Sequence, residues 1–179
     1  YVYRKGGTAY PLYISAPDNL IRMELRALLR ACVIVGCLVM IFVFYLGMYL
    51  FFSRRSFFLA FGASCLGNAI HMLLVGDKFM TRLWPGMDWV FSMRVEYGAL
   101  IVMIASFVVY LNGMFPGLLN ARGFRLYMGL NALFALAVLA TKPAVFSWGL
   151  LIYQAVSVPY GVYIIWRLAR NLRVIRDTE

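Results

Sequence analysis

The sequence predicts an all-α fold, a polytopic transmembrane helix bundle that carries a short N-terminal β segment from a preceding domain. Composition and hydropathy support this prediction. Of the 179 residues, 64% are hydrophobic and only 13% are charged, and the mean hydropathy is +0.81. A soluble domain has about 45–50% apolar and about 25% charged residues. One small core cannot bury so much apolar surface, so lipid is the expected surrounding for most of it.

Five apolar segments supply the candidate membrane spans. They cover residues 31–52, 57–75, 89–114, 126–141 and 145–166. A helix needs about 20 residues, within a range of about 17–25, to cross the hydrocarbon. The fourth segment is short by this measure, and the other four are long enough. All four tryptophans fall at or near the ends of spans, where their amphipathic rings are favoured: Trp84, Trp89, Trp148 and Trp166.

The chain divides into four predicted regions. Residues 1–17 are rich in tyrosine and valine and contain a Gly6-Gly7 turn, which indicates the end of an extracellular β domain. Residues 18–30 form a helix that leads into the first span, with Asp18 as its N-cap. The five-span bundle occupies 31–166, and 167–179 is a basic cytoplasmic extension. The start at Tyr1 without a signal peptide leads us to expect that the chain is a piece of a longer protein.

Positive charges near the span ends predict the orientation of the bundle. One side holds eight arginines and the other holds six lysines and arginines. Because cytoplasmic flanks are enriched in these residues, we predict a multi-pass protein of the inner or plasma membrane with its N-terminus outside and its C-terminus in the cytoplasm. The formal charge of +10 is explained by arginines at helix ends, so nucleic acid is not an expected partner and the lipid bilayer is.

Several short segments together resemble one receptor family. The segments are Pro11–Ser15 followed by Asp18–Arg22, Tyr45–Phe52 followed by Arg54-Arg55 and Phe57–Gly62, Arg94–Tyr97, and Phe115-Pro116. They are similar to segments of the bacterial seven-transmembrane receptors with diverse intracellular signalling modules. The resemblance implies an extracellular β domain, two further spans after Glu179, and a cytoplasmic kinase, cyclase or phosphatase as output, as in a two-component system. A homodimer is a further expectation for such a receptor.

Ionisable groups inside a membrane are costly, so four residues form a candidate ligand-binding or polar cluster at the outer mouth of the bundle: His71, Arg94, Glu96 and Tyr97. At 1.5 Å per residue, His71 and Glu96 lie at similar depths in the second and third spans. The alternative is a structural pair, with Arg94 extending its side chain outward to water. Pro159 is a candidate hinge in the fifth span, and a static kink is the alternative.

Small and polar residues predict helix packing in the second, fourth and fifth spans. Ala60, Ala63, Ser64 and Gly67 share one helix face and would allow close approach of a neighbour. Asn68, Asn131 and Gln154 are each expected to hydrogen-bond across helices. The three cysteines lie in apolar runs at spacings that fit neither a redox pair nor a metal site.

The function predicted from these features is that of a sensor or receptor domain, which relays an extracellular signal to an output module outside this chain. The alternative is a fragment of a secondary transporter or permease. A membrane-embedded enzyme is a third possibility, but the sequence has no phosphate-binding glycine loop, zinc motif, nucleophile elbow or paired carboxylates. We therefore predict no catalytic residues, no metal and no cofactor.

Overall fold

A computed structural model of the chain describes residues 17–75, 86 and 88–176. All regular elements in this part are helical: α1 (Pro17–Gly47), a π-helical turn (Met48–Phe52), α2 (Ser56–Val75), α3 (Trp89–Met114), α4 (Ala121–Ala140) and α5 (Pro143–Arg176). Five of these helices are long and apolar enough to cross a membrane, which confirms the predicted helical bundle of five spans. The β segment predicted over 1–17 finds no support, because residues 1–16 lie outside the described part and Pro17 begins α1.

The helix predicted over 18–30 and the first span form one continuous helix. α1 has 31 residues, and the π-helical turn extends it to Phe52 before Ser53 adopts an extended conformation. No glycine or proline interrupts residues 18–35, so nothing in the local sequence stops the helix between the two regions. α1 is therefore about 46 Å long at 1.5 Å per residue.

The fourth span begins five residues before its predicted start. α4 starts at Ala121, and the side chain of Asn120 caps it by accepting a hydrogen bond of 3.2 Å from the backbone N–H of Arg122. The predicted span starts too late because the first turn of α4 is polar, and the first long apolar run begins only at residue 126. With the capped turn included, α4 reaches 20 residues, enough to cross the hydrocarbon. α5 likewise runs past the fifth predicted span, so the basic extension from residue 167 is helical as far as Arg176.

The closest helix pair is α2 against α3, which run antiparallel. A Cβ added at Gly67 would lie 3.0 Å from both the carbonyl oxygen of Ala99 and the backbone nitrogen of Met103. Ser64 Oγ donates a hydrogen bond of 2.9 Å to the carbonyl oxygen of Met103. The small face predicted on the second span is therefore a packing face, and it brings the two backbones together as small residues do in membranes.

The helix backbones that approach each other most closely belong to helices consecutive in sequence. Two apolar clusters join α3, α4 and α5. The first comprises Met93, Ile101, Phe134, Val138, Phe146 and Tyr153. The second comprises Val108, Leu118, Leu119, Tyr127 and Ile164. Aromatic rings from α4 and α5 stack in both regions, with centroid distances of 4.6 Å for Phe134 and Tyr153 and 4.1 Å for Tyr127 and Tyr160.

Much of the outer surface of the helix bundle is apolar, and α1 shows this most clearly. The best membrane window of its span has no buried residue, and side chains such as Met40 and Phe44 are exposed. Isolated surface leucines are normal, but continuous apolar faces on several helices need an apolar surrounding. This surface supports assignment of the chain as a multi-pass membrane protein.

Several arginines lie at one end of the helix bundle. Phe57 at the start of α2 contacts Gly113 near the end of α3, and Leu118 in the following connection packs in one cluster with Ile164 of α5. These contacts place six arginines of the described chain at the same end: Arg54, Arg55, Arg122, Arg125, Arg167 and Arg170. The grouping used to predict the orientation is therefore consistent with the fold.

Candidate functional site

The structure does not bring the four predicted cluster residues together at one place. His71 and Glu96 each lie one turn from the contact of Gly67 with Ala99, towards the same end of the antiparallel pair. Their depths along the two antiparallel helices are therefore similar. Arg94 and Glu96 are two residues apart, which turns their side chains about 200° from each other around α3. The fold consequently does not bring Arg94 to the face that carries Glu96.

Arg94 instead lies at the C-terminal end of α4. Its Nη2 atom is 3.5 Å from the carbonyl oxygen of Thr141, the residue that caps α4. A guanidinium at a helix C-terminus is favourable because unpaired carbonyl groups and the helix dipole make that end negative. Tyr97, one turn further along α3, packs edge-on against Phe146 with 5.1 Å between ring centroids. Arg94 and Tyr97 therefore connect α3 to the junction of α4 and α5.

His71 remains a polar feature of the interior. It is half-buried, and its Nδ1 atom is buried without a hydrogen-bond partner among the described residues. Glu96 is also half-buried and has an interaction partner. His71 and Glu96 therefore lie at similar depths in the bundle. Arg94 and Tyr97 belong to a separate contact, between α3 and the junction of α4 and α5.

A cavity of about 440 Å³ lies between the helices and is partly open to the surroundings. Its walls come from all five helices, including Leu38 of α1 and Ile165 of α5. Most of the lining side chains are aliphatic or aromatic. Ser64 on α2 is eight residues, or about 12 Å, from the start of that helix, so the cavity reaches the middle of the span. Ligand cavities in proteins commonly have volumes of about 300–1,000 Å³.

Polar side chains in the cavity wall come mainly from α2 and α5. The hydroxyl oxygen of Tyr160 on α5 is buried without a hydrogen-bond partner in the described structure. Ser157 on the same helix interacts through its side chain with the hydroxyl of Tyr153, which itself donates to Asn131. An orphaned hydroxyl in an apolar surrounding carries a desolvation cost that a ligand atom can offset.

A buried hydrogen-bonded network joins α4 to α5 beside the cavity. Asn131 is 2% exposed, and its Nδ2 donates a hydrogen bond of 2.8 Å to the carbonyl oxygen of Tyr127. The Tyr153 hydroxyl donates a hydrogen bond of 2.8 Å to Asn131 Oδ1. The predicted interhelical bond of Asn131 is therefore confirmed. The same prediction for Gln154 is wrong, because Gln154 is exposed on the outer face of α5 next to buried Tyr153.

Pro159 lies within an uninterrupted α5. Proline has no backbone N–H, so the carbonyl group of Ala155 lacks its usual intrahelical donor. Pro159 is itself exposed, but its neighbours Ser157, Tyr160 and Gly161 all line the cavity. The candidate hinge and the cavity thus share one segment of α5.

The described residues offer few parts for metal or covalent chemistry. No group of three or more histidine, cysteine, aspartate or glutamate side chains in this part of the chain is placed to hold a metal ion. The three cysteines are free, with Cys32 and Cys37 exposed on α1 and Cys65 buried in the cavity wall.

Two residues that the sequence predicts as packing or hydrogen-bonding residues, Ser64 and Asn68, line the cavity. The sequence predicts neither the cavity itself nor a role for Tyr160. The sequence does contain polar residues at similar depths in three different spans. Their meeting at one cavity depends on how the helices pack, which the pattern along a single helix does not show.

Comparisons with known proteins supply no relative for this chain. No family model matches it, and neither the curated proteins nor the solved structures contain a significant match.

Proposed function

We propose that this chain is the membrane-spanning domain of a sensor or receptor, which relays an extracellular signal to a cytoplasmic output module outside the chain. The proposal includes an N-terminus outside the cell, a C-terminus in the cytoplasm, and a possible homodimer. The observation that carries it is the continuity of the first and last helices. Both run beyond the membrane span as uninterrupted helices, at opposite ends of the bundle.

The lengths of these helices support a mechanical connection. α1 and its π-helical turn together extend from Pro17 to Phe52, about 54 Å at 1.5 Å per residue, and the hydrocarbon is about 30 Å thick. α5 has 34 residues and is about 51 Å long. A displacement applied to the outer end of α1 is therefore applied to the bundle as well, since no flexible joint separates them.

Packing within the bundle supports two requirements of a relay. The close contact of α2 with α3 makes part of the domain rigid, and the half-open cavity beside Pro159 leaves α5 room to adopt a second packing. An outer signal needs only different affinities for the two packings to shift their populations. The matched depths of His71 and Glu96 add a polar element near the outer end, where such a signal would arrive.

A fragment of a secondary transporter or permease is the second candidate. The intramembrane cavity favours it, because transporter sites lie near the middle of the bilayer. Transporters commonly use helices that are broken at that depth, whereas α1 to α5 are continuous there. The sensor is therefore the better supported proposal.

Alanine insertion into α1 tests the relay. One to four alanines are inserted after Arg26, in the part of α1 that precedes its most apolar stretch, and the transcript profile of cells that carry the protein is measured. Each added residue rotates the outer end by about 100° relative to the bundle. We expect one and two insertions to change the profile and four insertions, which nearly complete a turn, to restore it.

Membrane insertion and abundance of every variant serve as the control. A transcript profile that is indifferent to the number of alanines would contradict the relay. Loss of a solute flux to the same extent in all four variants would instead favour the transporter.

A further inference from the structure

We infer that the cavity between the five helices binds a neutral, largely apolar molecule that carries a hydroxyl or carbonyl group. This inference concerns the cavity alone and holds whether or not the chain relays a signal. The molecule belongs to the class of long-chain alcohols, esters and ketones that partition into membranes. Its polar group contacts the Tyr160 hydroxyl, and its hydrocarbon part lies against the apolar wall.

The chemistry of the wall sets the charge of the ligand. Among the described residues that line the cavity, none carries a carboxylate, ammonium, guanidinium or imidazole group. An ion in this surrounding would lose its hydration without gaining a counter-ion, which disfavours its binding strongly. The site therefore selects a neutral molecule, and a carboxylate or a quaternary ammonium group is excluded from it.

One orphaned hydroxyl group sets the polar end of the ligand. Tyr160 Oη is buried without a partner in the described structure, and Tyr160 lines the cavity on α5. The Tyr160 ring is held by stacking on Tyr127, with 4.1 Å between centroids and 14° between ring planes. A fixed phenol with an unused O–H is a directional donor to a ligand oxygen.

The two serines of the wall are less available. Ser64 already donates to the carbonyl oxygen of Met103, and Ser157 interacts with the Tyr153 hydroxyl, whereas the Asn68 amide on α2 is a second polar group that faces a ligand in the cavity. Burial of the Tyr160 hydroxyl without any partner would be a net cost to the fold, and a bound oxygen atom removes that cost. The position of the orphaned Tyr160 hydroxyl at a cavity of ligand size is the juxtaposition from which the site is inferred.

Photolabelling of the full chain in lipid nanodiscs tests the inference. The probe is octadecanol with a diazirine in its chain, labelled sites are mapped by mass spectrometry, and unlabelled octadecanol is the competitor. We expect labelled residues to concentrate on the cavity walls of α2, α3 and α5, and we expect octadecanol to displace the probe. Octadecyltrimethylammonium, which has the same chain and a fixed charge, should compete at least tenfold less well.

Glycine positions provide a matched pair of variants. Gly161 lines the cavity, and an added Cβ there meets nothing within 4 Å. Gly161→Leu therefore adds a side chain at the cavity wall with open space around its Cβ, and it should reduce wall labelling at least fivefold. Gly129 on α4 is exposed and also has open space around an added Cβ, so Gly129→Leu should leave the labelling unchanged.

Tyr160→Phe removes the donor and keeps the ring. We expect the half-saturating concentration of octadecanol to rise about two- to tenfold, the equivalent of one hydrogen bond. Labelling spread evenly over exposed and cavity residues would overturn the inference. Equal effects of the two leucine variants, or equal competition by the charged analogue, would overturn it as well.

Discussion

Gly67 is the position where the fold can be tested most directly, because an added Cβ there would meet backbone atoms of α3. The atoms that an added Cβ would meet at 3.0 Å are the carbonyl oxygen of Ala99 and the backbone nitrogen of Met103. Ordinary van der Waals contact begins at 3.4 Å. Backbone atoms cannot rotate away as side chains can, so Gly67→Ala must move the two helices apart by about 0.4 Å or strain them.

Overpacking of this kind costs about 1–3 kcal/mol. Alanine also gains about 0.8–1.0 kcal/mol of helix propensity over glycine, which conceals part of the cost. Gly98 on α3 corrects for this gain, because it borders the same α2–α3 groove and an added Cβ there meets nothing within 4 Å. We therefore expect Gly67→Ala to be less stable than Gly98→Ala by about 1–3 kcal/mol.

The assay is reversible unfolding of both variants and the parent chain in mixed micelles with increasing sodium dodecyl sulfate, followed by circular dichroism and tryptophan fluorescence. Separation of α2 from α3 should also lengthen the bond from Ser64 to Met103, now 2.9 Å. Equal stability of the two alanine variants, or greater stability of Gly67→Ala, would refute the close backbone contact that the reasoning requires.

Three further predictions concern hydrogen bonds, a helix end and the orientation of the chain. Tyr153→Phe should lower the free energy of unfolding of the parent chain by about 0.6–1.7 kcal/mol. In an Asn131→Leu variant, where the Tyr153 hydroxyl has lost its acceptor, the same substitution should raise it. A change of the same sign in both backgrounds would contradict the hydrogen bond. Arg94→Gln should lower the free energy of unfolding by about 0.5–2 kcal/mol because it removes the cation at the end of α4; loss of stability fully recovered by Arg94→Lys would show that charge alone matters there. In a background without native cysteines, Gly86→Cys should react with an impermeant maleimide in intact cells and Arg122→Cys should not; the reverse pattern would invert the proposed orientation.

The sequence by itself determined the number of spans and most of what lies at their ends. Long apolar runs and breakers are local properties of the chain, and the cost of placing backbone polar groups in lipid leaves a helix as the outcome of such runs. The packing face around Gly67 was also accessible, because residues three or four apart share a helix face whatever surrounds it. The depths of His71 and Glu96 followed from the rise per residue.

Tertiary structure decided which faces meet. Hydropathy does not fix the rotation of one helix against another, so the sequence could not show that the Arg94 side chain reaches the C-terminal end of α4. The same limit explains why Asn131 found a partner on α5 and Gln154 did not. The cavity required the positions of five helices at once, and the orphaned Tyr160 hydroxyl acquires meaning only beside it, since burial and partners are properties of the assembled bundle and not of a single helix.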